Sequence, residues 1–149
     1  MKITDLETFV VGNPPPSYGG RYFVFVKVAT DAGISGIGEV YSLPFSPSVV
    51  EPMVQDVFDR HVLDSDPTQI ERLWRSVYTM GYSGKSDLSV MGILSGLEMA
   101  CWDIIGKDAG KPVYELLGGR VHDTLRSYTY LYREESDTAD VYLDPQLAA

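Results

Sequence analysis

The amino-acid sequence predicts an α+β fold in which a three-stranded antiparallel meander precedes a bundle of helices. Three segments of strand composition occupy the first 41 residues, and segments with apolar residues at helical spacing follow them. Strands that come before the helices, rather than alternating with them, favour an antiparallel sheet with helices packed against it. A chain of 149 residues is long enough for one domain with its own core.

The strands are predicted at Lys2–Val11, Tyr22–Thr30 and Ile34–Tyr41. The second, YFVFVKVAT, has the strongest strand composition in the chain. Gly33, between the second and third strands, suits the positive φ of a short hairpin turn. The first two strands are joined by Gly12–Arg21, where three consecutive prolines and a pair of glycines predict a shaped loop with a mobile rim.

Two helices are predicted from a polar residue followed by proline, a common helix start. Ser46-Pro47 marks the first helix, and Asp66-Pro67 marks the second, with Asp66 as its N-cap. Apolar residues recur at helical spacing after both signals, which indicates amphipathic helices.

The central element is a third helix, which we expect to begin after a cap at Ser86 or Asp87 and to end at Gly110. It is apolar on nearly every face, which is typical of a helix in the middle of a domain. Asp103 and Lys107 lie one turn apart, the spacing of a supporting ion pair. We interpret this pair as structural. After the third helix, a short fourth helix is predicted at Val113–Leu117.

Composition excludes several classes of protein. A formal net charge of −9 argues against nucleic acid and against an anionic membrane as partners. No apolar run reaches the ~18–20 residues of a membrane span. The N-terminus lacks the features of a signal peptide. Cys101 is the only cysteine, so no disulfide framework is expected, and its place in an apolar helix indicates a buried small hydrophobe. We expect a cytoplasmic protein.

The last part of the chain differs from the rest. Arg126–Tyr132, RSYTYLY, has strand composition after a linker, and Asp144-Pro145 is a third helix start. Less than two turns of helix could follow it, too few to be stable in isolation. The sequence therefore predicts one domain at residues 1–122 and the truncated beginning of another at residues 123–149.

Four motifs resemble the amino-terminal part of the enolase superfamily: TDAGISGIGEV, DPTQIERLW, GLEMACWDIIGKDAGKPVYELLGGR and RSYTYLY. They are similar, in the family's order, to the mandelate racemase and muconate-lactonizing group, and within it to the acid-sugar dehydratases. The resemblance implies a capping domain joined to a (β/α) barrel that holds Mg²⁺ and removes the proton next to a substrate carboxylate. It also implies a small-molecule sugar acid as substrate, the protein's own barrel as partner, and a homo-oligomer.

The resemblance places all metal ligands and catalytic bases after the first barrel strand, and therefore none in this chain, which would be inactive alone. What it places here is specificity, in two loops over the barrel mouth, Pro14 to Arg21 and Tyr41 to Phe45. Arg21 could pair with a carboxylate, although it could equally be a solvent-exposed loop residue, as could Tyr18. The candidate substrate contacts are Pro15, Tyr18, Arg21, Tyr41, Phe45, Tyr82 and Tyr130.

Three functions remain open at this point. The first is the specificity portion of a Mg²⁺-dependent acid-sugar dehydratase, and the second is the same portion of a racemase or cycloisomerase. The third is a non-catalytic binding or dimerization module without a barrel. The other titratable groups in the chain do not form a recognisable site. We interpret His61 and His122 as structural or solvated. Glu39 is interpreted as structural support for the loop after the third strand rather than as a substrate contact, and Glu98 with Asp103 as a buried pair satisfied by Lys107 or backbone amides.

Overall fold

The computed structural model describes residues 1–15, 17, 20–41, 45–79 and 87–128. Within these ranges it has three strands, β1 (Ile3–Gly12), β2 (Tyr22–Thr30) and β3 (Ser35–Val40), in one antiparallel sheet of order β1-β2-β3. The helices are α1 (Pro47–His61), α2 (Ile70–Tyr78), α3 (Leu88–Ala109) and α4 (Val113–Leu116). The predicted meander followed by helices is confirmed. The barrel strand predicted from residue 126 lies mostly outside the described residues, as does the helix start at residue 144.

The helices cover one face of the sheet. α3 packs on β2 and β3, and α1 packs on β1. The β2 side chains on this face are fully or nearly fully buried, because alternate residues of a strand point to the same side. They join valines and leucines of the helices in a single core, which includes Val24, Val26, Val28, Val50, Val54, Leu94, Leu97 and Ile104.

Two glycines allow α3 to lie directly on β3. A Cβ added at Gly38 would lie 1.9 Å from the carbonyl oxygen of Gly96, and one at Gly36 would lie 2.0 Å from that of Ala100. Glycine inside a strand often marks such a close approach of another backbone. The pairing also sets the direction of the helix. Because Gly36 meets Ala100 whereas Gly38 meets Gly96, α3 runs antiparallel to β3.

The domain consequently has two distinct ends. At one end, the N-terminus of α3 lies near the end of β3 at Val40. At the other end, the start of β1 is tied to the turn after α1. The Ile3 N–H donates to the Ser65 carbonyl at 2.9 Å, and the Asp64 N–H donates to the Ile3 carbonyl at 3.0 Å. We call the first of these the loop end.

The helix caps agree only partly with the predicted ones. Asp87 is the N-cap of α3, since its carboxylate accepts hydrogen bonds from the N–H groups of Ser89 and Val90. Gly110 ends that helix in the left-handed conformation, with φ of 63°. Ser46 occupies the N-cap position of α1, but its hydroxyl pairs with that of Ser48 instead of a backbone N–H.

The prediction that Asp66 caps the second helix is wrong. α2 begins at Ile70, after Gln69. The Asp66 carboxylate instead accepts hydrogen bonds from the N–H and hydroxyl of Thr68, and its carbonyl accepts from the Gln69 N–H. This closes a single turn. The helix cannot continue from that turn because Gln69 has ψ of 56°, outside the helical region.

Only one side of α3 is buried among the described residues. It is long and apolar enough, by length and composition alone, to cross a membrane, a test that the core helix of a soluble protein also passes. One side of it is fully buried in the domain, at Leu97 and Ile104 among others. The opposite side carries Met99, which is 42% exposed, and the half-buried Trp102 and Ile105. We call these three residues the outward face of α3.

Candidate substrate-contact site

The first loop is closed by its own hydrogen bonds. The Asn13 N–H donates to the Arg21 carbonyl at 2.9 Å, and the Asn13 side-chain amide donates to the Gly20 carbonyl at 2.7 Å. Within the loop, the Ser17 N–H donates to the Pro14 carbonyl at 2.9 Å, with Ser17 at φ of 59°. These contacts close the described part of the loop, which leaves out residues 16, 18 and 19.

The second loop is tied to the base of the first. The hydroxyl of Tyr22, the first residue of β2, donates to the carbonyl oxygen of Phe45. Phe45 comes directly before Ser46, the N-cap residue of α1. The tyrosine therefore links the loop end of the sheet to the start of α1.

The structure describes four of the seven predicted substrate contacts, and all four belong to the loop end. Pro15 and Arg21 are exposed, Tyr41 is 76% exposed and Phe45 is 42% exposed. The other three, Tyr18, Tyr82 and Tyr130, lie outside the described residues. The role of all seven as substrate contacts stays a prediction.

Arg21 and Tyr41 lie close together along the sheet. Val24 pairs with Val40, so Tyr41 leaves β3 beside Phe23, two residues along the chain from Arg21. Two residues of a strand span about 6.7 Å. Arg21 makes no side-chain hydrogen bond or ion pair with any described residue. A guanidinium without a partner among the described residues is able to bind the carboxylate of a small molecule.

Sequence reasoning missed two residues that shape this end. Asn13 closes the first loop, and an asparagine directly before a proline is a recognised turn signal that could have identified it. Tyr22 was assigned only to the strand, although a tyrosine at the first position after a loop can direct its hydroxyl back towards that loop. Its actual partner, a carbonyl 23 residues away, has no signal in the sequence.

Two carboxylates on α3, Asp103 and Glu98, have structural partners. Asp103 accepts hydrogen bonds from the Ile37 N–H at 2.9 Å and from the Lys107 ammonium at 2.7 Å, as its structural interpretation predicted. The interpretation of Glu98 was wrong: it is half-buried and accepts from the Trp102 indole N–H at 3.2 Å, not from Lys107. Four residues separate the two partners, so they meet on one helix face.

Neither histidine lies in the loops. His61 ends α1, and its pKa is lowered because burial disfavours the charged ring and because Arg60 lies beside it. His122 is exposed in the segment after α4. Among the described residues, no group of three His, Cys, Asp or Glu side chains is arranged to hold a metal ion. The described part of the loop end can therefore bind and orient a substrate, but it offers no set of acid–base groups.

Cys101 should be inert in the folded protein. Its side chain is buried, and this burial, with the nearby Glu98 charge as a second cause, raises the pKa of the thiol to about 12. The thiolate is the reactive form, so iodoacetamide at about pH 8 should leave the native chain unmodified and alkylate it fully in concentrated urea. Intact mass measures both states, with Cys101→Ala as the unreactive control. Rapid alkylation of the native chain would contradict this.

Comparison with known families identifies the domain. The family model for the mandelate racemase / muconate lactonizing enzyme N-terminal domain matches residues 15–118. The chain belongs to this family. The match includes the whole of β2, β3 and α1 to α4, and it ends just after α4. The described fold is thus that of the N-terminal capping domain of this enzyme group.

Individual relatives agree with that assignment. D-galactonate dehydratase from Ralstonia pickettii is 37% identical over 131 residues, which cover 88% of this chain and 31% of that protein. A crystal structure from Labrenzia alexandrii DFL-11, assigned to the mandelate racemase/muconate lactonizing enzyme group, has 62% identity and a TM-score of 0.84 over 89% of this chain and 34% of its own. The crystal structure of a mandelate racemase/muconate lactonizing enzyme from Sulfitobacter sp. has 45% identity and a TM-score of 0.87. That match covers 100% of this chain and 38% of the other. The chain spans about a third of the length of these proteins.

Proposed function

We propose that this chain is the capping and substrate-specificity portion of a longer, Mg²⁺-dependent enzyme that dehydrates a sugar acid to a 2-keto-3-deoxy acid. The observation that carries the proposal is the hydrogen bond from the Tyr22 hydroxyl to the Phe45 carbonyl, which ties the described ends of the two loops together directly after the exposed Arg21. The similarity to D-galactonate dehydratases supports a sugar acid, whose carboxylate suits a guanidinium partner.

In the proposed reaction, this domain and the rest of the enzyme have different roles. Dehydration breaks the C–H bond next to the carboxylate, expels the hydroxyl of the adjacent carbon as water, and leaves an enol that becomes the ketone. The described residues do not fit a metal site, so no catalytic step is assigned to a metal here. Mg²⁺ and the proton-transferring groups would belong to the rest of the enzyme. The loops of this domain would hold the sugar acid and limit its contact with water.

The outward face of α3 supports a domain that continues beyond this chain. Gly106 lies near that face, and a Cβ there would meet the Lys111 carbonyl at 2.7 Å, so the chain turns back on this side. Two aliphatic residues after α4 are exposed, Val121 at 85% and Leu125 at 84%. Large exposed apolar surfaces usually mark an interaction site. A following domain that packs along α3 would cover them and reach the loop end.

The reaction is tested with the full-length enzyme. It is incubated with a panel of sugar acids, with and without Mg²⁺, and the products are assayed for 2-keto-3-deoxy acids. We expect such a product from at least one sugar acid, and only when Mg²⁺ is present. A racemized substrate without any keto product would overturn the dehydratase and favour the racemase. An absence of turnover on every acid would overturn the enzyme class proposed here.

Substitution of Arg21 tests the specificity role separately. In the full-length enzyme, Arg21→Gln should raise the KM for the sugar acid about tenfold and change kcat little, because a charge-assisted contact is lost equally from ground and transition states. Arg72→Gln is the matched control, since Arg72 lies on α2 beside a cavity at the opposite end of the domain. An unchanged KM in Arg21→Gln would place the arginine outside the site.

A further inference from the structure

Three consecutive residues are held by hydrogen bonds where the first loop returns to β2. The Asn13 side-chain amide donates to the Gly20 carbonyl at 2.7 Å, and the Asn13 N–H donates to the Arg21 carbonyl at 2.9 Å. The next residue, Tyr22, begins β2 and donates its hydroxyl to the Phe45 carbonyl. Arg21 therefore lies between two residues that are themselves held in place.

Asn13 binds both peptide groups that flank the Cα atom of Arg21. The peptide group before this atom contains the Gly20 carbonyl, and the one after it contains the carbonyl of Arg21 itself. Because each peptide group is planar, holding both of them constrains the two backbone dihedrals of Arg21 and the direction of its Cα–Cβ bond. The bond from the Asn13 N–H continues the β1-β2 ladder by one residue, whereas the bond to Gly20 depends on the asparagine side chain.

The chain directly before Arg21 has little conformational restriction of its own. Gly20 has φ of 147°, a conformation that residues with a Cβ rarely adopt, and residue 19 is also a glycine. The bond from Asn13 supplies the missing restriction. Asn13 and Gly20 are half-buried whereas Arg21 is exposed, so the bond is partly shielded from competing water and the guanidinium is not.

A fixed backbone matters for an arginine that binds a carboxylate. The guanidinium is a rigid planar fork, so a bidentate contact depends on the direction from which it approaches. Its long side chain also loses conformational entropy when it is ordered on binding. A backbone that moved as well would increase this loss and weaken the contact.

We propose that Asn13 is a positioning residue, which holds the backbone at Gly20 and Arg21 so that the Arg21 guanidinium is presented to the substrate carboxylate. The proposal rests on the proposed function, because it requires Arg21 to contact the substrate. Asn13 itself does not touch the substrate in this arrangement. Removal of its side chain should therefore weaken substrate binding only through Arg21.

A double-mutant cycle in the full-length enzyme tests this dependence. Asn13→Ala removes the bond to the Gly20 carbonyl but keeps the backbone N–H, and it should raise the KM for the sugar acid about fivefold with little change in kcat. In the Arg21→Gln background the same substitution should change KM by less than about twofold, because the contact that it supports is already absent. The control is Ser65→Ala, which should leave KM unchanged. It also removes a side-chain bond to a backbone carbonyl, that of Val62 at 2.6 Å, but at the opposite end of the domain.

A purely structural role of Asn13 would give a different pattern. The positioning role is overturned if Asn13→Ala raises KM by the same factor in both backgrounds, or if it leaves KM unchanged. Circular dichroism establishes that each variant is folded under the assay conditions. The cycle requires a carboxylate substrate but not its dehydration. The expected pattern in an enzyme that racemizes its substrate would support the role of Asn13 and refute the dehydratase, whereas a keto-acid product with an unchanged KM in Asn13→Ala would do the reverse.

Discussion

Replacing Gly38 by alanine should lower the free energy of unfolding by about 3 kcal/mol or more. The added Cβ would lie 1.9 Å from the Gly96 carbonyl oxygen and 3.1 Å from the Ala100 nitrogen. Both are backbone atoms of α3, so no side chain can rotate to make room. The helix must move away from β3, and that movement would loosen the core between α3 and the sheet.

Urea denaturation of the 149-residue chain, followed by circular dichroism, measures the effect. Gly12→Ala is the matched control, because a Cβ at Gly12 meets nothing within 4 Å and the residue does not have positive φ. Its free energy of unfolding should change by less than about 0.5 kcal/mol. Equal stability of Gly38→Ala and the wild type would show that the helix and strand are not packed at backbone contact.

The second large effect is expected at Asp103. Asp103→Ala should lower the free energy of unfolding by about 2 kcal/mol. The substitution removes the acceptor of two hydrogen bonds at once, one from the Ile37 N–H on the sheet edge and one from Lys107. The carboxylate is 32% exposed, which limits the contribution of the ion pair itself. The larger part of the loss comes from the contact between α3 and β3.

The control for this prediction is Asp108→Ala, which removes an exposed carboxylate near the C-terminus of the same helix. A negative charge there opposes the helix dipole, so this variant should be unchanged or slightly more stable. Thermal unfolding at low and high salt compares the two variants. If salt alone abolished the difference between Asp103→Ala and the wild type, a screened surface ion pair would explain the effect, and the bridge to Ile37 would be refuted.

Much of the fold could be predicted because local patterns and tertiary packing agree. The composition of β2 and the turn glycine at Gly33 identified the hairpin, whose glycine has φ of 77°. The cap at Asp87 and the stop at Gly110 bounded α3 correctly. Asp66 was misassigned because an aspartate before a proline can begin either a turn or a helix. Whether a helix follows depends on the backbone conformation of Gln69, which no local sequence pattern specifies.

Less of the candidate site could be predicted from the sequence. The loops were placed by resemblance, and the structure brings their described parts to one end of the domain. The tie from Tyr22 to Phe45 joins residues far apart in the chain, so neither residue's neighbours indicate it. The partner of Glu98 could have been predicted from the sequence, because Trp102 lies four residues along α3 on the same helix face, whereas Lys107 lies nine residues away and pairs with Asp103.

The sequence by itself determined the order of strands and helices, the limits of α3 and the family, because each depends on residues adjacent in the chain. Only the tertiary structure decided which side of α3 is buried and which apolar faces remain uncovered. α3 and β2 each have apolar residues on more than one side, so their composition does not show which side is buried. The glycines at 36 and 38 orient them, since the side of β3 without side chains is the one that admits a helix backbone.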